Sequence, residues 1–223
     1  MINAITQEVC RQIKELRGNE NPQSGILLSD LRPGAKITEI KQLLEAAKQR
    51  NSFAICIPQW FVSPVKEELS GSQVKIATVV GLPDGTNSPL AKYAEIKQAV
   101  AFGADIVLVP VNMDHCRAGD MAAVKKDLAE SLTASKGKAE AGAILEVKDL
   151  DDSRIIEAAQ ACESVGAKVI MLSGITGGYV KAETVRALKE KGLSVGVIGG
   201  ASDASRQQEY QQAGALWIAA RYR

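Results

Sequence analysis

The chain has 223 residues, which lies in the range of roughly 200 to 250 residues over which α/β barrels form a single domain, so we expect one domain spanning 1–223. It is 46% hydrophobic and 24% charged, a composition that excludes disordered, collagen-like and coiled-coil classes. The 27 basic and 26 acidic residues give a net charge of +1, which leaves no positive excess for a nucleic acid or an anionic membrane as partner.

Eight short apolar runs, rich in β-branched residues, alternate with longer amphipathic segments along the chain. We predict strands at 25–28, 53–57, 74–80, 105–111, 141–147, 167–172, 193–198 and 215–219. Several of these runs are apolar almost throughout, as expected for parallel strands that helices cover on both faces.

Helical spacing of apolar residues fills the segments between most of these strands. We predict helices at 3–17, 36–49, 89–102, 117–135, 152–165, 181–190 and 203–213. The clearest is 89–102, where Pro89 suits the first turn. The helix at 3–17 precedes the first strand, and the chain ends four residues after the eighth run.

This alternation fits two parallel-sheet architectures, a closed barrel and an open doubly wound sheet. Eight short strands at nearly even spacing favour the barrel. No Gly-x-Gly-x-x-Gly turn follows the first strand and no Walker pattern occurs, which excludes the usual nucleotide-binding fingerprints. We therefore predict an α/β fold, namely a (β/α)₈ TIM barrel with an extra N-terminal helix and a reduced or missing last helix.

The sequence also bears on location and metal binding. No apolar run approaches the roughly 18 residues of a spanning helix, and the first residues are charged and amphipathic, so we expect a cytoplasmic protein without a membrane partner. The cysteines Cys10, Cys56, Cys116 and Cys162 are far apart and form no CxxC pair. Reduced thiols are expected, and with His115 as the single histidine we predict no metal site.

Candidate site residues follow the ends of the predicted strands, because barrels of this kind carry their active sites at the C-terminal ends of the strands. Glycine-rich loops after the sixth and seventh strands would let backbone N–H groups approach a phosphate, although tight turns also explain these glycines. We predict a substrate-binding set consisting of Asp30, Arg32, Asn112, Ser173, Gly177, Gly199, Gly200 and Arg221.

Seven segments together resemble a known family. In order and spacing they are FAICI, KIATVVGLPDG, AFGADIV followed by VPVN, AILEV, AKVIMLSGITGG and SVGVIGG. They resemble 2-deoxyribose-5-phosphate aldolase over roughly residues 25–220. The resemblance implies a (β/α)₈ enzyme that reversibly cleaves deoxyribose 5-phosphate to acetaldehyde and glyceraldehyde 3-phosphate through a lysine Schiff base. It also implies that the enzyme needs no metal or organic cofactor.

The chain departs from the family pattern at the positions that carry the chemistry. Met171 stands where the family has its Schiff-base lysine, Ile198 where it has a second lysine, and Leu108 where it has a proton-relaying aspartate. A thioether cannot form an imine. The family's phosphate turn after the eighth strand is also lost, since Ala219 and Arg221 occupy this region. We therefore do not expect the usual aldol chemistry, and the catalytic residues stay unassigned.

Two other side chains could replace the missing groups. Lys148 lies directly beyond the fifth strand, two residues after Glu146, and could attack a carbonyl; alternatively it is a solvated loop lysine beside Asp149. His115, beside Asp114, could be a general base or a capping group.

The residues leave three functions open. Arg32, where the family has threonine, and Arg221 suit a carboxylate or a phosphate. The first hypothesis is a divergent aldolase-like protein that binds a small anionic carbonyl compound such as a sugar phosphate. The second is a non-catalytic pseudoenzyme that acts as a binding or regulatory partner. The third is an active carbon–carbon lyase that uses another lysine such as Lys148. A homo-oligomer is compatible with all three.

Overall fold

The computed structural model describes residues 25–69, 71–199 and 203–222, so the predicted helix at 3–17 lies outside the described residues. Eight parallel strands are hydrogen-bonded in sequence order, and the last pairs with the first to close the barrel. The predicted (β/α)₈ TIM barrel is therefore confirmed, and the open sheet is excluded.

The strands lie where the apolar runs predicted them, with bounds that differ by at most two residues. They are β1 Gly25–Ser29, β2 Ala54–Cys56, β3 Lys75–Val79, β4 Ile106–Pro110, β5 Glu140–Glu146, β6 Val169–Ser173, β7 Val195–Ile198 and β8 Trp217–Arg221.

The described helices, placed around the barrel, are α1 Ile37–Gln49, α2 Val62–Glu68, α3 Pro89–Ala101, α4 Met113–Ala118, α5 Met121–Leu132, α6 Asp152–Ser164, α7 Ala182–Glu190 and α8 Ala204–Gln212. Short 3₁₀ turns lie at Gln59–Phe61 and Thr133–Ser135. Within the described residues no helix follows β8. None of the described helices is both long and apolar enough to cross a membrane.

One helix prediction was wrong, and another helix was missed. The segment 117–135 was expected to be one helix, but the chain breaks it between α4 and α5. Gly119 ends α4 in the left-handed conformation at φ 76°, and the Asp120 side chain accepts from the Ala123 N–H to cap α5. Helix α2 was missed, because it has only two buried apolar residues, Val62 and Val65, and gives a weak periodic signal.

Strand residues alternate between two apolar layers. Outward-facing side chains such as Ile55, Val107 and Leu172 pack against the helices. Inward-facing side chains fill the barrel with a separate cluster to which every strand contributes; among its members are Leu27, Cys56, Ile106, Val169 and Trp217. The barrel interior is thus a packed apolar core, as is usual for this fold.

A buried ion pair holds the loop between β3 and α3. Lys92 of α3 is fully buried, and its Nζ lies 2.5 Å from Asp127 Oδ2 of α5. The same Nζ donates to the Gly85 carbonyl at 2.9 Å. Gly85 has φ 72°, and a Cβ there would collide with the Pro110 carbonyl oxygen. The loop is therefore fixed by the hydrogen bond from Lys92 and by the close approach of the Gly85 backbone to the Pro110 carbonyl at the end of β4.

We predict that Lys92→Met lowers the free energy of unfolding by about 3 to 5 kcal/mol, because it leaves the Asp127 carboxylate buried without a counter-ion. Urea denaturation measures the change. Lys97→Met, on an exposed position of the same helix, is the matched control and should change stability by less than about 0.5 kcal/mol. A Lys92→Met protein as stable as this control would contradict the structural role of the pair.

Candidate functional site

A cavity of about 280 Å³ opens at the C-terminal ends of the strands. Its floor is apolar and comes from the inward-facing residues Val79, Ile144 and Ile198 near the ends of β3, β5 and β7. Its rim is polar and contains three acidic and two basic side chains, namely Asp84, Glu146, Asp149, Arg117 and Lys148. This is the end of the barrel at which the sequence predicted the site.

A second cavity of about 440 Å³ adjoins the first. Arg32, Gly199 and Arg221 line it, at the ends of β1, β7 and β8. The two cavities share three lining residues, Leu31, Ile175 and Ile198, and so meet at these side chains. The structure thus brings together four of the predicted substrate-binding residues, since Ser173 lines the first cavity.

Asp30, a further predicted site residue, buttresses Arg32. It is buried and accepts from Arg32 Nε at 2.8 Å and from Nη2 at 2.6 Å. These bonds hold the pKa of the Asp30 carboxyl below its usual value, against the effect of burial, and the Arg221 charge acts in the same direction. The carboxylate in turn raises the pKa of Arg32. The pair fixes the direction of a guanidinium whose side chain is 37% exposed at the cavity.

The loop after β6 is folded around the Glu146 carboxylate. Ser173 Oγ donates to Glu146 Oε2 at 2.9 Å, and the Thr176 N–H donates to the same oxygen at 3.2 Å. The Ile175 N–H donates to Ser173 Oγ at 3.2 Å. Two N–H groups that a phosphate could use are therefore occupied by internal acceptors. Gly177 lines neither cavity.

The residues after β4 and β3 make local contacts. Asn112 caps α4, accepting from the Asp114 N–H at 3.1 Å and from the His115 N–H at 3.4 Å. Neither Asn112 nor His115 lines the two cavities, so a role of either in binding stays a prediction. Asp84 lies on the rim, where the Thr86 hydroxyl donates to it at 2.7 Å and lowers the pKa of its carboxyl.

Lys148 and Lys168 lie at opposite ends of the barrel. Lys148 lies on the rim of the first cavity with its side chain exposed. Lys168, at the start of β6, is exposed at the opposite end of the barrel. Gly200 and Cys10 lie outside the described residues.

The three described cysteines are buried, and none forms a disulfide. Burial raises the pKa of the Cys56 thiol to about 12 and that of Cys116 to about 11. Among the described residues, no three His, Cys, Asp or Glu side chains group as metal ligands would.

The three residues that the family resemblance places at catalytic positions all face the interior of the barrel. Leu108 and Met171 are fully buried, and Ile198 is 3% exposed at the cavity floor. Met171 fills the space beside Gly196 so closely that a Cβ at Gly196 would collide with its sulfur. A Cβ at Gly142 would likewise lie 2.8 Å from Leu108 Cδ2. These side chains have therefore become part of the packed inner layer.

Sequence reasoning missed several cavity residues. Ile144 alternates with outward-facing neighbours in β5, so the two-residue period of a strand could have placed it on the inner face, as it does Glu146, which the sequence analysis did name. Arg117 belongs to α4, which the sequence analysis did not predict as a separate helix. No other feature of the sequence indicated that Arg117 lines the cavity.

The closed parallel barrel and the cavities at its C-terminal mouth define a (β/α)₈ protein with a ligand-sized site at the face where such barrels carry their active sites. No protein-family model matches the chain. The chain is 32% identical over 194 residues to the deoxyribose-phosphate aldolase of Bacillus cytotoxicus. The aligned region covers 85% of this chain and 87% of that protein. It therefore belongs to the deoxyribose-phosphate aldolase family.

Solved structures share the fold of the chain. The aldolase QR15 superposes with a TM-score of 0.80 at 25% identity, over 86% of this chain and 88% of that one. The deoxyribose phosphate aldolase of Aeropyrum pernix, described as a tetramer, superposes with a TM-score of 0.76 at 23% identity, over 87% and 84% of the two chains.

We predict that Gly196→Ala lowers the free energy of unfolding by about 1 to 3 kcal/mol, because the added methyl group collides with Met171 in a filled core. The double variant Gly196→Ala/Met171→Ala should lose less stability than the sum of the two single variants, since the shorter side chain makes room for the methyl group. Urea denaturation of all four proteins gives the coupling, and strictly additive losses would show that the two positions do not share space.

The Asp30 carboxylate predicts a specific acid sensitivity. Because its pKa is lower in the folded protein, its contribution to stability is present above the unfolded value of about 3.9 and is lost as the pH falls through the folded value. The stability difference between the wild-type protein and Asp30→Asn should therefore be constant above about pH 5 and shrink below about pH 4. Chemical denaturation at stepped pH measures it. Asp114→Asn, on an exposed side chain, is the control, and an equal pH trend in both variants would contradict the prediction.

Proposed function

We propose that this chain binds a small phosphorylated or carboxylated compound at the mouth of the barrel and does not form the lysine imine of the family. The observation that carries the proposal is the position of Met171, Ile198 and Leu108 in the packed inner layer of the barrel. These are the positions that the family resemblance assigns to two lysines and an aspartate.

Imine chemistry needs an amine that can reach a carbonyl carbon held in the site. The apolar cluster inside the described barrel supplies no amine near the mouth, and Lys75, which packs on Phe53 of that cluster, is paired with Glu140 at the opposite end of the barrel. Among the described residues, the only lysine that lines the first cavity is Lys148, and its exposed side chain lies on the rim, above the apolar floor. The barrel wall therefore places no amine next to a carbonyl compound that is bound against the floor.

Anion binding is supported by the second cavity. Arg221 makes no ion pair within the described part of the chain, and Arg32 is held at the cavity by Asp30. Guanidinium groups bind carboxylate and phosphate oxygens in pairs of parallel hydrogen bonds. The two arginines lie at the ends of β1 and β8, which are neighbours in the barrel and pair Ser29 with Arg221.

A second candidate is an active aldolase that uses Lys148. The presence of Lys148 on the rim of the first cavity favours it. A purely regulatory role as a non-catalytic partner protein is the remaining alternative, and it would be favoured if no small anion bound to the mouth.

Assembly into a homo-oligomer stays a prediction that the tetrameric Aeropyrum pernix relative makes reasonable. Two large apolar side chains, Trp60 at 79% and Leu90 at 76% exposure, are available for such contacts. Light scattering coupled to gel filtration measures the assembly state.

We predict that sodium borohydride added with acetaldehyde or deoxyribose 5-phosphate traps no covalent adduct on the wild-type protein. The expected reason is that the described barrel wall presents no lysine beside the apolar floor of the first cavity. Intact-mass spectrometry and peptide mapping provide the measurement, and Lys148→Gln is the matched variant. A trapped adduct that disappears in Lys148→Gln would contradict the proposal and establish the second candidate, and an adduct on any other lysine would also contradict it.

A further inference from the structure

We infer that the anion bound at this mouth carries an apolar chain, so that alkyl or aryl carboxylates and phosphates bind better than sugar phosphates. The inference rests on the proposed function, because it specifies the class of compound that the same site takes. It follows from the different chemistry of the two adjoining cavities.

The first cavity suits an apolar group. Val79, Ile144 and Ile198 form its floor, and Leu31 and Met113 add further apolar surface. Each hydroxyl of a sugar placed against such a floor would lose its hydrogen bonds to water without gaining a partner. An alkyl chain gains from the same burial, in proportion to the apolar area removed from water.

The polar groups on the wall of this cavity are already paired with one another. Both Glu146 oxygens accept hydrogen bonds, Oε2 from Ser173 Oγ and from the Thr176 N–H, and Oε1 from the Lys148 N–H at 3.3 Å. Glu146 is 8% exposed and Ser173 is 2% exposed. A sugar hydroxyl would have to displace these internal bonds to find a partner, which an apolar chain need not do.

Charge decides which cavity takes the anionic head. The charged side chains that line the first cavity are three acids and two bases, so its rim has a net charge of −1. Among the described residues, those that line the second are Arg32 and Arg221. Arg32 is paired with Asp30 through two hydrogen bonds and lies 3.6 Å from Glu39, which leaves Arg221 as the charge available to a ligand. A carboxylate or phosphate is therefore attracted to Arg221 and repelled from the rim of the first cavity.

The two cavities are close enough for one molecule to span them. Leu31, Ile175 and Ile198 belong to the lining of both, so a chain that leaves the Arg221 cavity crosses apolar side chains before it reaches the floor. Gly199 lies directly against Ile175 at this boundary, since it has φ 74° and a Cβ there would lie 2.8 Å from Ile175 Cγ1. The geometry places the head at Arg221 and the tail over Ile198.

Isothermal titration calorimetry with acetate, butanoate, hexanoate, hexyl phosphate and deoxyribose 5-phosphate tests the inference. Affinity should rise with chain length, by up to about fourfold for each buried methylene. Hexanoate should therefore bind on the order of a hundredfold more tightly than acetate, and more tightly than deoxyribose 5-phosphate. Comparison of hexanoate with hexyl phosphate tells which head group is preferred, and a preference for either supports the inference.

Three variants test the proposed orientation. Arg221→Gln should weaken hexanoate and hexyl phosphate by about fivefold to tenfold, because a charge-assisted hydrogen bond is lost. Arg186→Gln, on an exposed position of α7 outside both cavities, is the matched control and should change affinity by less than about twofold. Arg117→Gln removes an arginine from the rim of the first cavity and tests the opposite orientation. Val79→Thr, which keeps the shape of the side chain and adds a hydroxyl to the floor, should weaken hexanoate but not acetate. Thermal melts verify that each variant is folded.

The outcomes separate this inference from the proposed function. Tighter binding of deoxyribose 5-phosphate than of hexanoate, or equal binding of acetate and hexanoate, would overturn the inference and leave anion binding at the mouth intact. Loss of hexanoate binding in Arg117→Gln but not in Arg221→Gln would overturn the orientation. No binding of any of the five anions would overturn both the inference and the proposed function.

Discussion

The closed barrel encloses a fixed interior, and the side chains that fill it constrain everything at the mouth. The family resemblance places Met171 and Leu108 at catalytic positions, and each occupies the space beside a glycine on the neighbouring strand, Gly196 and Gly142 respectively. A side chain with a charged end at either position would have to be buried among apolar neighbours. The inner layer is therefore adapted to packing, and the chemistry of the chain is confined to what lies above that layer.

Above it, the polar groups are arranged by internal partners. Glu146 accepts a hydrogen bond from the loop after β6, and Asp30 accepts one from Arg32. The buried Lys92 donates a hydrogen bond to the loop after β3. Each of these partners fixes the position of one wall of the mouth. The result is an apolar floor with a net acidic rim on one side and an arginine-lined cavity on the other. This division is the basis both for our proposal that the chain forms no lysine imine and for the class of anion that we infer.

The sequence predicted the barrel well because strand and helix periods are local properties of the chain. The eight apolar runs placed every strand, and the positions of Met171, Ile198 and Leu108 on the inner face agree with the family resemblance. The break at Gly119 was missed because apolar spacing continues across it, and only the capping groups mark the boundary.

The site was less predictable, because its contacts join residues far apart in the chain. Asp30 and Arg32 are two residues apart, and both were expected at the site. The bond between Glu146 and the Thr176 N–H spans 30 residues and depends on the path of a glycine-rich loop, which no local pattern specifies. The most direct test of the account is the release of acetaldehyde from deoxyribose 5-phosphate by protein purified from a host that lacks its own aldolase. We expect a rate no higher than that of buffer alone, and a saturable rate that scales with protein concentration would contradict the central claim.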